Sequence, residues 1–351
     1  MNPSQHPDRQ AAAHPASVRH VLVHLITPLL MCIGMGLAYM SAFMTPHPHH
    51  VKVAVVGDGP RTAAVAQVVQ TKAGDALTVS TLPTLDAAVA QLHSRALAGA
   101  FVPDAAKPEL YIAEGDSDSS ATVASKVFTT VAAVEGKPLT VTDVAPTTAD
   151  DPTNAGAFFL MVAVSIGSYS AVAAIGAGAA TWSLKRKTGL ALGVATLVSG
   201  VGAVLAGPVF HLAHHGLLGV WGLSWLYSAS ILLIGVGLHT FLKRWTTLVM
   251  MVLFVMLNFT SSGGLFQPEL QNGFFGALHG FWNGAGLVEG VRSLLYFGGD
   301  GIARHAWTLV AWVAVGALTV DAAALAERRN RVPAVETEVE AEEELEELVA
   351  V

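Results

Sequence analysis

Long apolar runs separated by short polar breaks fill most of the chain, but the first run stands apart from the others. They cover 21–44, then 155–182, 189–210, 217–242, 245–262 and 306–326. Each can cross a hydrocarbon core of about 30 Å, which takes roughly 20 helical residues. The pattern predicts an α-helical integral membrane protein with six transmembrane helices and a small α/β extracytoplasmic domain between helices 1 and 2. The divisions are a polar, disordered cytoplasmic lead over 1–19, helix 1 over 20–44 and the α/β domain over 45–154. A five-helix membrane domain over 155–326 and an acidic cytoplasmic tail over 327–351 complete the chain.

Charge gives this plan a direction. Of 19 Lys and Arg residues, ten fall on one side of a six-span arrangement: Arg9 and Arg19, Lys185 to Lys187, Lys243 and Arg244, and Arg328, Arg329 and Arg331. The break from His211 to Gly216 has none. Basic residues accumulate in short cytoplasmic loops, so both termini read as cytoplasmic and 45–154 as outside. The first run could alternatively be a signal peptide cleaved near Ser41-Ala42. Its 24 apolar residues exceed the roughly 7 to 15 of a signal core, which favours a retained span.

Within 45–154 the period changes. Val51 to Val56 reads as a strand closed by Gly57-Asp58-Gly59-Pro60, and helical spacing follows through Val65, Val68 and Val69. Leu77 to Leu82 is a second strand, and Leu85, Ala88, Val89 and Leu92 mark a second helix. Ala98 to Val102 and Glu109 to Ala113 are strands, Ser119 to Val134 a helix, and Leu139 to Val144 a last strand. The order β-α-β-α-β-β-α-β implies a partly parallel sheet. Gly57-Asp58-Gly59 lacks the third glycine of a nucleotide loop, since Thr62 stands at that offset, and reads as a turn. Glu114, Asp116 and Asp118 read as a solvated loop.

Composition agrees with a membrane location: 52% of the residues are hydrophobic, 13% are charged and the mean hydropathy is +0.53. Eight glutamates between Glu336 and Glu347 carry the net charge of −7, and without them the balance is +1. No basic concentration points to nucleic acid. Cys32 is the only cysteine, so the α/β domain has no disulfide.

Two features of the membrane half stand out. Ala191, Ala195, Ser199, Ala203 and Gly207 repeat every four residues, a stripe that lets a helix of this chain or of a second copy approach closely. Between the fifth and sixth spans, Ser261-Ser262-Gly263-Gly264 ends a helix and Pro268-Glu269 starts a segment broken by glycines. Glu289 and Arg292 lie three apart on one helical face there, as a structural ion pair or a substrate contact. The stretch 266–300 reads as re-entrant or interfacial outer helices.

One span, an α/β domain, then five spans with a broken segment before the last resembles the ABC-2 type membrane permease family, in its phage-infection-protein-like branch. The residues that carry the likeness are Val53 to Asp58, Leu97 to Pro103, Glu109 to Glu114, Ser262-Gly263-Gly264 to Pro268-Glu269, and Glu289 to Arg292. The resemblance implies a homodimer in the bacterial cytoplasmic membrane that exports a hydrophobic or lipid-like substrate with a separate ABC ATPase. It places partner docking on the loop holding Lys185, Arg186 and Lys187, which spans only about Leu184 to Thr188. Pro268, Glu269, Glu289 and Arg292 are the transport or structural candidates. The chain has no ATPase motif, since its one Gly-Lys pair, Gly136-Lys137, precedes Pro138, so hydrolysis would belong to a partner and no cofactor is expected. The rival reading is a non-transporting receptor or scaffold whose outer domain binds a protein or an envelope polymer.

Histidines supply the metal candidates. His47, His49 and His50 follow the first span, and His211 and His215 would share a helical face at the end of the third. No carboxylate or thiol accompanies them, so interfacial polar residues are the simpler reading. No nucleophile constellation is evident in the α/β domain.

Overall fold

The computed structural model describes residues 18–103, 107–134 and 136–349. Most of the predicted N-terminal lead, 1–17, lies outside the described residues. Helix α1 spans Val18–Phe43 and is followed by β1 (Val51–Val56), α2 (Pro60–Ala73), β2 (Leu77–Leu82), α3 (Leu85–His93) and β3 (Gly99–Val102). Then come β4 (Glu109–Ile112), α4 (Asp118–Val134) and β5 (Thr140–Asp143). The strands form one sheet in the order β2-β1-β3-β4-β5. β1 is parallel to both neighbours and β5 is parallel to β4, while β3 and β4 form the antiparallel pair.

Both faces of the sheet are covered, which explains why VKVAVV is a nearly continuous apolar run. Val51, Val53 and Val55 point to the face packed by α2 and α4, where Phe101 stacks on Phe128 with centroids 4.7 Å apart. Ala54 and Val56 point the other way, with Ala88 and Leu92 of α3. The sheet domain does not close these cores alone. Leu270 completes the first and Phe297 the second, and both residues come from the membrane half.

The membrane half contains α5 (Gly156–Gly178), α6 (Leu184–Val204), α7 (Leu217–Leu242), α8 (Thr246–Met251), α9 (Leu257–Ser261), α10 (Gly273–His279), α11 (Asn283–Tyr296) and α12 (Ile302–Val349). Four helical runs among the described residues are long and apolar enough to cross a membrane: Gly156–Gly178, Leu184–Val209, Leu217–Ser261 and Ile302–Arg329. The chain is therefore membrane-embedded. The 45-residue run Leu217–Ser261 would extend about 67 Å if straight, at about 1.5 Å per residue. It doubles back at Lys243, whose φ is 48°. His239 bonds Thr246 and Tyr227 bonds Asn258, both pairs centred between Leu242 and Lys243, as in an antiparallel hairpin.

Helix α7 is the hub, buried along most of its length against α5, α6, α11 and α12. Glycines permit the close approach: a Cβ on Gly237 would lie 2.6 Å from the Thr319 backbone, and one on Gly316 2.7 Å from Leu233. The small-residue stripe of α6 is used inside the chain. Ala191, Ala195 and Ser199 are fully buried, and α6 packs chiefly on α7.

Several expectations need correction. Lys185, Arg186 and Lys187 do not form a loop but the first turn of α6, whose preceding residue is Ser183. Lys and Arg are good helix formers, so the helix begins before its apolar run. The last span and the acidic tail are one continuous helix to Val349, not a helix ending near 326. His211 and His215 share no helical face, because His211 has φ 53° and α7 begins only at Leu217. Helix α11 is enclosed by protein: every residue from Asn283 to Ser293 is buried, between α5, α7 and α12.

Candidate functional site

The junction between the sheet domain and the membrane half holds a charge quartet, in which Glu289 and Arg292 are buried and Arg95 and Asp116 partly exposed. Arg292 on α11 places Nη1 2.9 Å from Glu289 Oε1, as their spacing of one helical turn requires. The remaining N–H groups of Arg292 donate to the Gly263 carbonyl (2.8 Å), the Gly264 carbonyl (3.0 Å) and to Asn154 O and Oδ1 (both 3.3 Å). All five donors of the guanidinium are thus engaged. The polar break Ser261-Ser262-Gly263-Gly264 supplies two of those acceptors, because its carbonyls are no longer spent within α9.

The partner of this pair comes from the other domain. Arg95, in the turn between α3 and β3, bridges Glu289 and Asp116, with Nε 2.6 Å from Asp116 Oδ1. Its Nη1 donates to Ser293 Oγ (3.2 Å) and the Glu289 carbonyl (3.3 Å), and its guanidinium lies 5.5 Å over the Phe297 ring. Gln267 Nε2 donates to Glu289 Oε1 at 3.2 Å. Two arginines and two carboxylates therefore balance across the interface, the condition under which the buried pair Glu289 and Arg292 is tolerated. Arg95 and Asn154 both take left-handed backbone (φ 64° and 52°), which non-glycine residues rarely adopt. Strain of this kind concentrates where surrounding contacts hold it in place.

Asp151 adds a second tie. Its Oδ1 accepts the Ala155 and Gly156 N–H groups at the start of α5 (both 2.9 Å), and its Oδ2 accepts the Tyr296 hydroxyl at 2.7 Å. Burial and Asp151 together raise the Tyr296 pKa.

Beside the quartet lies a cavity of roughly 490 Å³ whose walls come from both halves. Lys52 and Arg95 contribute from the sheet domain, Glu269, His279 and Glu289 from the broken segment, and Arg304 from α12. His279 Nδ1 donates to the Ser261 carbonyl at 3.1 Å. Burial, helped by Arg292, Arg95 and Arg304, pushes this imidazole down to about 4. Burial, reinforced by Asp116, holds the Glu269 carboxyl above the usual range.

A second polar group lies deep among the helices. Tyr227 is fully buried and its hydroxyl bonds both Ser165 and Asn258, while Ser168 and Ser228 pair at 2.8 Å. Asn258 follows a π-helical stretch, Val252–Met256, whose Leu253 carbonyl is taken up by Trp282 Nε1 at 3.2 Å. Such stretches recur at functional sites.

Glu289 and Arg292 thus meet, and Pro268 and Glu269 line the adjoining cavity. Lys185, Arg186 and Lys187 lie at the far end of α5, about 34 Å away at about 1.5 Å per residue. There Lys187 stands beside His239, with Lys243 and Arg244 nearby. The metal candidates do not assemble: His49 donates its backbone N–H to the Glu269 carbonyl, His47 and His50 lie in the same linker, and His215 reaches Leu294 O at 3.1 Å. Among the described residues no three His, Cys, Asp or Glu side chains group as metal ligands. Asp116, read as solvated, is instead bonded to Arg95. Arg95, Gln267 and Asn154 went unmarked because their partners lie up to 198 positions away. No family model, curated protein or solved structure matches the chain.

Proposed function

We propose that the chain is a six-span protein of a bacterial cytoplasmic membrane, with both termini inside and the sheet domain outside, acting as the permease subunit of an ABC-2-type exporter. The observation that carries this reading is the fixed attachment of the sheet domain to the broken segment through Arg95, Glu289 and Arg292. A movement of the helices would pass directly into the outer domain through so rigid a joint. The basic face of Lys185, Arg186, Lys187, Lys243 and Arg244, about one bilayer thickness from the joint, supports the orientation and offers a surface for an ATPase. In this reading two copies assemble around a lipid-like substrate.

The test uses single cysteines in a Cys32→Ser background. An impermeant maleimide should label Thr130→Cys in intact cells and Arg186→Cys only after permeabilisation. Charge reversal of Lys185 to Lys187 should release a co-purifying ATPase and abolish nucleotide-driven export. Labelling of Arg186→Cys from outside refutes the orientation, and export unchanged by charge reversal refutes the docking role.

One observation favours a receptor or scaffold instead. Between α2 and α4 runs an apolar groove of roughly 550 Å³, where Val68 and Val134 are exposed, a shape suited to an apolar segment of another protein. Export that survives substitution of Val68 and Val134 by Asp would leave the permease reading in place.

A further inference from the structure

We propose that the junction cavity is a binding site for a compact anionic group of phosphate type. At roughly 490 Å³, between two domains, it has the size and placement of a ligand site, which typically spans about 300 to 1,000 Å³.

The sign of the ligand follows from which charges remain available. Glu289 and Asp116 are held by Arg95 and Arg292. Glu269 has one carboxyl oxygen, Oε2, buried without a hydrogen-bond partner, and burial favours its neutral form. Asp300 is the remaining carboxylate in the wall. Against it stand Lys52 from β1 and Arg304 from the first turn of α12, both exposed. Neither side chain forms a hydrogen bond or a carboxylate ion pair within 4 Å among the described residues. His93, His279 and His305 add ring nitrogens to the same walls. The N-terminus of α12 enters at Gly301, and the positive end of its helix dipole favours negative charge. A planar guanidinium and a flexible ammonium reaching in from opposite domains suit a multi-oxygen anion, because each can take separate oxygens.

Two sources share this chemistry: the phosphate of a lipid headgroup and a soluble phosphate. The site follows from the cavity and its charges, not from transport, so it stands or falls separately from the exporter reading.

The experiment uses full-length protein in nanodiscs of neutral lipid. Thr308, on the cavity wall, is replaced by cysteine in the Cys32→Ser background, and its alkylation rate is measured. One arm adds inorganic phosphate, and the other incorporates phosphatidylglycerol at a fifth of the lipid. Slowing of alkylation at least fivefold in the first arm identifies a soluble ligand, and slowing only in the second identifies a lipid headgroup. Lys52→Gln with Arg304→Gln should raise the half-effective concentration at least tenfold, and Arg304→Lys should recover part of it. No protection in either arm, or protection that the double substitution leaves unchanged, overturns the proposal. Should the double variant fail to fold, the two arms with Lys52 and Arg304 intact still decide.

Discussion

Replacing Arg292 by Met removes all five donors of a buried member of the quartet while keeping much of its volume. Five acceptors lose a partner: Gly263 O, Gly264 O, Asn154 O, Asn154 Oδ1 and Glu289 Oε1. Glu289 keeps Arg95 and Gln267, so the loss falls mainly on the carbonyls, each costing about 1 to 3 kcal/mol when buried and unpaired. Relaxation keeps such penalties from adding fully, and a loss of about 4 kcal/mol is expected, within the roughly 3 to 5 kcal/mol seen when one partner of a buried pair is removed. Glu289→Gln should cost a similar amount, because Arg95 and Arg292 then face each other with only Asp116 between them in charge. In the double variant the Arg95–Asp116 pair is left neutral, so the two losses should overlap by at least about 2 kcal/mol. Reversible unfolding by mixed-micelle titration, followed through the seven tryptophans, measures all four corners of the cycle. Strict additivity, or a loss below about 1 kcal/mol for Arg292→Met, refutes the reasoning, since that is how an exposed pair behaves.

Three further outcomes test other parts of the structure. Asp151→Ala should cost about 1 to 2 kcal/mol from the α5 cap, with more from the Tyr296 hydroxyl, and Asp151→Asn should recover the cap portion in the same titration. Gly237→Val should abolish recovery of monodisperse protein, because its side chain would enter the Thr319 backbone, whereas Gly222→Ala, with open space around it, should behave as wild type on size exclusion. The unfolded state takes up a proton at His279 near its ordinary pKa of 6.5, while the folded state resists until about 4. Folded stability should therefore fall as pH drops through that window, and His279→Gln should flatten the fall when unfolding midpoints are compared at pH 7 and pH 4.5.

The residues most legible in the sequence were those whose structure is decided locally. VKVAVV and LTVSTL are strands over the expected residues, and the run over 217–242 is α7 to the residue. Glu289 and Arg292 share a face because three residues are nearly one turn. Helix ends that outrun their apolar stretch were missed, since Lys185 to Lys187 and the glutamate-rich end of α12 are good helix formers without being hydrophobic. The junction was half legible. Nothing near Arg95 distinguishes it from any surface arginine, and it becomes a quartet member only when α3 is set against α11.

The two cores of the sheet are capped by Leu270 and Phe297, and this sets a schedule for biosynthesis. The last strand ends at Asp143, and the ribosome must add 154 more residues before Phe297 exists. At about 5 to 20 residues per second that interval is roughly 8 to 30 s, during which a finished sheet waits with an apolar patch on each side. A nascent chain in that condition needs a holding chaperone or the membrane surface as temporary cover. Truncations ending before 297 should accordingly be degraded rather than accumulate as a free domain.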